Sequence, residues 1–245
     1  MGLFDIFKGK KGGGSGTSAD KWAERAGDKR AQAYDRQEAI NELANLGTKE
    51  AAAALLKRFT FVVDPSITDQ EEKEVAFQGV LKAGRAAIEP IRTFSEKAES
   101  LAWPTRILKE IMTEEEFITE LTGWLSKWDT EYAKFIDPKL QLLLTLEDYK
   151  SDKVRDAVLP FLEDVNEPAR YHATLTLLAQ APDDSIRDAL LTAFAEEESM
   201  RIKTKIVDAF IAREWAVPEE ARDATKRKLP DNYGLGDGGM LQKRW

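Results

Sequence analysis

The sequence has no cysteine and a single histidine, His172. Without cysteine, the chain cannot hold a disulfide framework, a thiolate zinc site or a cysteine nucleophile. A single histidine excludes most zinc and haem sites, and most nucleophiles that depend on a histidine base. We expect His172 to be a packed or surface residue of a helix. Because cysteine is absent and histidine occurs only once, we predict no catalytic residue, no metal and no cofactor.

The chain also lacks a long apolar run and an excess of basic residues. No stretch approaches the roughly 18 apolar residues of a membrane-spanning helix, and no secretory signal pattern is present. A cytoplasmic protein is therefore expected. Lys and Arg number 36 against 44 Asp and Glu, so the net charge is −8. Because proteins that bind nucleic acids usually present a basic face, this balance argues against a nucleic-acid partner.

What the sequence does contain is a recurring Arg-Asp-Ala triplet. It occurs at residues 155–157, 187–189 and 222–224, at spacings of 32 and 35 residues. Each copy lies in a stretch of helical periodicity that follows another such stretch. Repetition at this period is typical of stacked helix pairs, which bury their apolar faces against their neighbours. The sequence therefore predicts an all-α protein of about six helix pairs.

Capping residues divide the predicted repeat domain, residues 18–229, into helices. Thr48 and Thr68 are expected to begin helices, and so is Thr113, which three glutamates follow. One well-marked helix is expected over residues 184–196. The glycine-rich remainder, residues 230–245, is predicted to be a flexible tail.

Parts of the body resemble the HEAT-repeat family. The Asp, Val or Ile, Arg and Ala pattern of that family's second helix occurs at residues 152–157 and 184–189. Gly47 and Gly84 match its glycine between paired helices, and Pro90 and Pro160 match its helix proline. The resemblance covers residues 33–229 and departs from the pattern over 100–136. It implies a right-handed α-solenoid.

The resemblance also implies a role for the triplets. In such repeats an arginine at this place pairs with an aspartate of a neighbouring repeat, and the planar guanidinium suits that contact. The alternative is a row of arginines that binds an anion. The predicted inter-repeat ladder consists of Arg155, Asp156, Arg187, Asp188, Arg222 and Asp223.

Residues 1–11 form a short segment that a Gly/Ser linker, residues 12–17, separates from the body. Its apolar residues fall on one helical face and precede a basic run. A helix this short is unstable in water until its apolar face is buried. We expect an amphipathic helix that binds an anionic membrane surface, or else a groove on a partner or on this chain. The third interpretation is that this segment is incidental and binds nothing. The candidate binding residues are Leu3, Phe4, Ile6, Phe7, Lys8, Lys10 and Lys11.

Aromatic residues are concentrated between residues 124 and 136, within the irregular part of the repeat. Trp124 and Trp128 are four positions apart and share a helical face, and Tyr132 and Phe135 follow them. One interpretation is a core between helices. The other is an exposed anchor for a protein partner, because large aromatic residues are enriched at binding hot spots. If the body has one protein-binding segment, we expect it here.

Together these features predict a non-enzymatic adaptor or scaffold that binds protein partners. Its N-terminal helix would tether it peripherally to the inner face of a membrane or to a larger assembly. One alternative is an enzyme of the HEAT-like DNA glycosylase type, which the acidic composition disfavours. Another is a structural subunit of a large complex, with the N-terminus as a docking helix.

Overall fold

The computed structural model describes residues 19–244, and these are predominantly helical, so the all-α class is confirmed. The predicted N-terminal helix and its linker lie outside the described residues. Two short strands, β1 (Tyr233–Leu235) and β2 (Leu241–Lys243), follow the helices. The helices are α1 Asp20–Ala26, α2 Ala33–Leu46, α3 Lys49–Leu56, α4 Ser66–Lys82, α5 Ile88–Ser95, α6 Ala102–Ile111, α7 Glu114–Leu125, α8 Asp137–Leu146, α9 Asp152–Val158, α10 Glu167–Ala179, α11 Asp184–Glu196, α12 Met200–Ala212 and α13 Arg222–Lys228.

The described chain divides into two compact units. The first contains the chain up to residue 98 together with residues 106–111, and the second contains residues 99–105 and the chain from residue 112 onward. The division falls at the start of the segment that departs from the repeat pattern. Each unit has its own set of fully buried apolar side chains.

Side-chain caps begin four of the described helices, α3, α7, α9 and α11. The Thr48 hydroxyl accepts a hydrogen bond from Ala51 N, and Gly47 adopts a left-handed conformation with φ 61° at the end of α2. Thr113 and Glu116 form a reciprocal capping box at the start of α7. The prediction for Thr68 is wrong, because α4 begins two residues earlier. Pro65 stands at the cap of α4 in extended conformation, and proline needs no N–H partner there.

In the first unit, α2 and α4 pack side by side and parallel, and α3 contacts both. Arg36 binds Glu72 near the helix starts, and Lys82 Nζ donates to Asn45 O at the helix ends, at 2.8 Å. Near the carboxyl ends, Gly79 allows α4 to approach α2 closely, since a Cβ there would lie 2.6 Å from Ala44 Cα.

A buried ionic network joins α2, the turn that follows α3, and α4. Arg36 of α2 and Arg58 of that turn both bind Glu72 of α4. The Arg58 guanidinium, which is fully buried, donates from Nε to Glu72 Oε2 at 2.6 Å and from Nη2 to Asp69 Oδ1 at 2.7 Å. Asp69 Oδ1 also accepts from Val63 N at 3.0 Å. Burial raises the pKa of Asp69, but hydrogen bonds from Lys73, Arg58 and Val63 and the charge of Arg58 together outweigh it and hold this pKa below its ordinary value. The network thereby fixes the loop between α3 and α4, on which Val62 is exposed.

In the second unit, α8, α10 and α12 pack in a parallel row, in which α8 contacts α10 and α10 contacts α12. Thr176 Oγ1 donates to Leu143 O at 3.2 Å, and Gln180 Nε2 donates to Tyr149 O at 2.9 Å. Arg213 donates to Leu178 O. These three bonds join residues 31 to 35 positions apart, which is close to the spacing of the triplets. In the same unit α7 packs on α9, and α11 packs on α13.

One contact recurs in both units. A side chain at the carboxyl end of a helix donates to a carbonyl at the carboxyl end of the parallel helix before it. Asn45 and Leu178 are among the last four residues of their helices, whose carbonyls have no partner within the helix, and Tyr149 follows the end of α8 by three residues. The donors are Lys82 toward α2, Gln180 toward the end of α8, and Arg213 toward α10.

The predicted flexible tail is wrong for residues 230–244, which contain an antiparallel hairpin of β1 and β2. Gly238 and Gly239 supply the positive φ angles of the turn, 67° and 84°. Tyr233 and Leu241 are buried. Val217 N donates to Gly239 O at 2.8 Å and fastens the turn to the body of the unit. The glycines serve the turn, and the apolar strand residues supply the burial that orders the segment.

Gly79→Ala should destabilise the first unit by roughly 1–3 kcal/mol, the usual cost of overpacking, because the new Cβ would clash with Ala44 and Leu55. Gly123→Ala in α7 is the control. No atom lies within 4 Å of that new Cβ, so alanine's helix preference should stabilise the protein by roughly 0.5–1 kcal/mol. Urea denaturation followed by circular dichroism measures both. Equal effects would contradict the close approach of α2 and α4.

Candidate functional site

The predicted aromatic cluster is split between the core and the surface. Trp124 is only 7 % exposed, and Trp128 is partly buried. Tyr132 and Phe135 are 78 % and 69 % exposed. Both exposed residues lie between α7 and α8 on residues 129–136, which we name the aromatic loop. The core interpretation therefore fits Trp124, whereas Tyr132 and Phe135 are available to a partner.

A fully buried ion pair anchors the base of the aromatic loop. Lys139 Nζ lies 2.6 Å from Asp164 Oδ2, and neither side chain is exposed to solvent. The same ammonium donates to Asp129 O at 3.1 Å, at the first residue of the loop. Val165 N donates to Thr130 O at 2.9 Å. The start of the loop is therefore held by a buried charge and a backbone bond.

Both members of this ion pair have the additional partners that buried charges require. Asp164 Oδ1 accepts from the Asn166 backbone N–H at 2.8 Å and from its side-chain amide at 3.0 Å. The Lys139 ammonium lies 5.9 Å and 5.8 Å from the ring centroids of Trp128 and Phe161. Sequence reasoning missed the pair, because its members are 25 positions apart and no local pattern marks either of them.

Charged residues adjoin the two exposed aromatic residues along the loop. Asp129, Glu131 and Lys134 are on the loop itself, and Glu131 is exposed beside Tyr132. Lys134 Nζ lies 5.1 Å from the Phe135 ring centroid, a distance at which a cation is attracted to the face of an aromatic ring. Apolar tips within a polar rim are the usual anatomy of a protein-binding surface.

The predicted ladder has one rung between helix pairs. Arg155 donates to Asp183 at 3.3 Å, across to the cap of α11. It binds Asp152 and Asp156 of its own helix at 2.8 Å. The hydrogen bond to Asp156 is the main cause that raises the pKa of Arg155. The aspartate that completes the rung is therefore Asp183, which the repeat pattern did not identify.

The other two triplets do not continue this ladder. Arg187 binds Asp184 and Asp188, both of its own helix, at 2.8 Å. Arg222 Nε donates to Val217 O at 3.1 Å, and Asp223 is exposed. A carboxylate three positions away lies next to the guanidinium on a helix, and here the adjacent aspartate binds it as well. The ladder prediction is wrong for these residues. The anion-binding alternative loses support too, because carboxylates already occupy Arg155 and Arg187.

A carboxylate at the start of α10 provides a further link between helix pairs. Glu167 accepts from Arg201 Nε at 2.7 Å and from Ser199 Oγ at 2.6 Å. The hydrogen bond from Arg201 is the main cause that lowers the pKa of Glu167 to about 2. The Arg201 guanidinium also stacks 4.1 Å from the Tyr171 ring centroid. Because each of these contacts joins two groups of the fold itself, the cluster is structural.

His172 is partly buried on α10 and lies in a polar pair. Its Nδ1 is 2.7 Å from Glu147 Oε1. Within residues 19–244, no group of three or more His, Asp or Glu side chains is arranged to hold a metal ion. No helix in that part of the chain is long and apolar enough to span a bilayer. A comparison with family models, curated proteins and solved structures finds no match to this chain.

Lys139→Met should destabilise the second unit by about 3–5 kcal/mol, because Asp164 would be left as an unpaired buried charge. Lys134→Met, on the same loop but away from the ion pair, should change the stability by no more than about 0.5 kcal/mol. Urea denaturation followed by tryptophan fluorescence compares the two variants. The double variant Lys139→Met/Asp164→Leu should recover most of the loss. A small loss for Lys139→Met alone would show that the pair does not hold the loop.

Proposed function

We propose that this chain is a non-enzymatic adaptor that binds a protein partner through the aromatic loop. The observation that carries this proposal is the exposure of Tyr132 and Phe135 on a loop whose base is a fully buried ion pair. Because the start of this loop is held in place, the loop loses less conformational entropy on binding than a free one would. Large aromatic residues with few rotatable bonds are the commonest hot-spot anchors.

The proposal includes a HEAT-like, right-handed α-solenoid as the scaffold that presents this loop. Parallel packing of alternate helices supports it, in α2 with α4 and in the row α8, α10 and α12. Hydrogen bonds 31 to 37 positions apart support it as well, because stacked helix pairs bring equivalent positions together at that spacing.

We propose further that residues 1–11 tether the adaptor to an anionic membrane surface on the cytoplasmic side, or to a larger assembly. The support is in the sequence: four large apolar residues followed by three lysines, ahead of a Gly/Ser linker. Each lysine adds roughly 1 kcal/mol near anionic lipid. The DNA glycosylase alternative has no support from the aromatic loop, because Asp129 and Glu131 beside it would repel phosphate.

Replacing both exposed rings, as Tyr132→Ser/Phe135→Ser, should remove the specific protein partners of the chain. Quantitative affinity purification with the full-length protein identifies those partners. The affinity of each purified partner should then fall at least roughly tenfold, as for hot-spot aromatics. Tyr34→Ser/Ile67→Ser is the matched control, because both residues are similarly exposed, at 79 % and 67 %, in the first unit. Partners that bind both variants equally well would contradict the proposed site.

Co-sedimentation with vesicles containing phosphatidylserine tests the tether. The full chain should pellet, and the pelleted fraction should fall as salt rises, since the lysine contribution is screened. Phe4→Ser/Phe7→Ser should abolish pelleting without changing the folded body. If both forms stay in solution, the segment docks on protein instead, and a tagged peptide of residues 1–11 becomes the probe.

A further inference from the structure

One arginine of the second unit is held by a carboxylate and an aromatic ring together. Arg201 Nε donates to Glu167 Oε1 at 2.7 Å, and the Arg201 guanidinium lies 4.1 Å from the Tyr171 ring centroid. The carboxylate binds donors at the edge of the guanidinium, whereas the ring contacts its face. Both groups therefore bind the same cation at once. The Arg201 side chain is 52 % exposed, so this mode of binding does not require burial.

The same mode occurs twice in the first unit. Arg106 Nη2 lies 3.2 Å from Glu74 Oε2, and the Arg106 guanidinium lies 4.1 Å from the Phe77 ring centroid. The guanidinium of Arg58, whose buried ion pairs are described above, lies 4.5 Å from the Phe61 ring centroid. A carboxylate combined with an aromatic ring is thus a recurrent arginine site in this chain, on the surface as well as in the core.

The aromatic loop presents the same two groups without an arginine. Glu131 and Tyr132 are both exposed. Within residues 19–244, the Glu131 carboxylate has no ion pair, and the Tyr132 ring contacts neither a cation nor another ring. Their Cα atoms are about 3.8 Å apart, closer than those of two residues four positions apart on a helix, as in the Arg201 site. Glu131 N donates to Asp129 Oδ1 at 3.2 Å, which links this pair of residues to the anchored start of the loop.

The charge beside Tyr132 favours a cation from outside the chain. Residues 129–137 contain three acidic residues and one basic residue, Lys134, whose Nζ already lies 5.1 Å from the Phe135 ring centroid. Tyr34 is exposed to a similar extent in the first unit, but residues 28–38 around it contain three acidic and three basic residues. An excess of carboxylates beside an unoccupied ring is therefore specific to the aromatic loop among these two sites.

We propose that the aromatic loop binds an arginine of its protein partner, with Glu131 at the edge of the guanidinium and Tyr132 on its face. This inference rests on the proposed binding function of the loop and adds the chemistry of the partner. Arginine fits this site better than lysine, because a planar guanidinium can stack on a ring while its donors remain in the plane for a carboxylate. The surplus of carboxylates on the loop also attracts a cationic segment.

A library of random 12-residue peptides displayed on phage, selected on the full-length protein, provides the probe. Peptides that bind the unchanged protein but not Tyr132→Ser/Phe135→Ser should contain arginine more often than the unselected library. Fluorescence anisotropy then gives the dissociation constant of the tightest such peptide, synthesised with a label. Glutamine in place of its arginine should weaken binding roughly threefold to twentyfold, the combined effect of an exposed ion pair and a cation–ring contact. Lysine should weaken it by a smaller factor.

Variants of the protein locate the arginine. Tyr132→Phe, which keeps an aromatic ring, should change the affinity by less than about twofold, whereas Tyr132→Leu, which keeps only apolar bulk, should weaken binding several-fold. Glu131→Gln should weaken binding about twofold to fivefold, and this loss should shrink when the arginine of the peptide has already been replaced. Glu196→Gln is the matched control, because it removes the same charge from an exposed position of the second unit, and it should have no such effect.

Four results would overturn this inference. Selection might return ring-dependent peptides that lack arginine, or no ring-dependent peptide at all. The arginine of the peptide might show no coupling to Glu131, or Tyr132→Leu might bind as tightly as Tyr132→Phe. Ring-dependent peptides without arginine would leave the proposed binding function of the loop in place, because that function requires only the two rings. Circular dichroism confirms that each variant is folded.

Discussion

A charged group that water cannot reach must find all its partners inside the protein, and this requirement shapes one loop in each unit. In the first unit, the buried Arg58 guanidinium binds Glu72 and Asp69, and Asp69 in turn holds the backbone of Val63. In the second, the buried Lys139 ammonium binds Asp164 and holds the backbone of Asp129. Both contacts tie a loop to a charge that cannot move without losing its partners. Val62 adjoins the first of these fixed points, and Tyr132 and Phe135 follow the second by three and six residues; all three side chains are exposed.

The two loops differ in what they expose, and this difference favours the second unit as the binding unit. Val62 presents a small aliphatic group, whereas the aromatic loop presents Tyr132 and Phe135. Aromatic side chains bury far more area for each rotatable bond that binding must fix. A rigid base then adds to affinity by lowering the entropy that the loop loses. The proposal can be tested at this ion pair, because a substitution of Lys139 removes the pair and leaves both aromatic rings unchanged.

The sequence identified those features that depend on neighbouring residues. The helix at Asp184–Glu196 has the predicted bounds, and Thr48 and Thr113 cap the helices that they are predicted to begin. Lys139 and Asp164 could not be found in this way, since a lysine in the first turn of a helix has the pattern of a surface residue. The hairpin was missed for a different reason. Its glycines alone favour a flexible tail, whereas the apolar residues on either side of them, which become buried, indicate strands.

Of the three Arg-Asp-Ala triplets, only the first makes the contact between helix pairs that the resemblance implies. The guanidinium groups of α9 and α11 bind carboxylates of their own helices at 2.8 Å, and Arg155 also reaches Asp183 of the next pair. The contact that does recur between parallel helices is a donor to a carboxyl-terminal carbonyl, from Lys82, Gln180 and Arg213. An ammonium, an amide and a guanidinium can each donate to a carbonyl. Different residue types can therefore make this contact, and a search for identical residues does not detect it. In both units these donors satisfy carbonyls at or just beyond helix ends, although the donating residues differ in type.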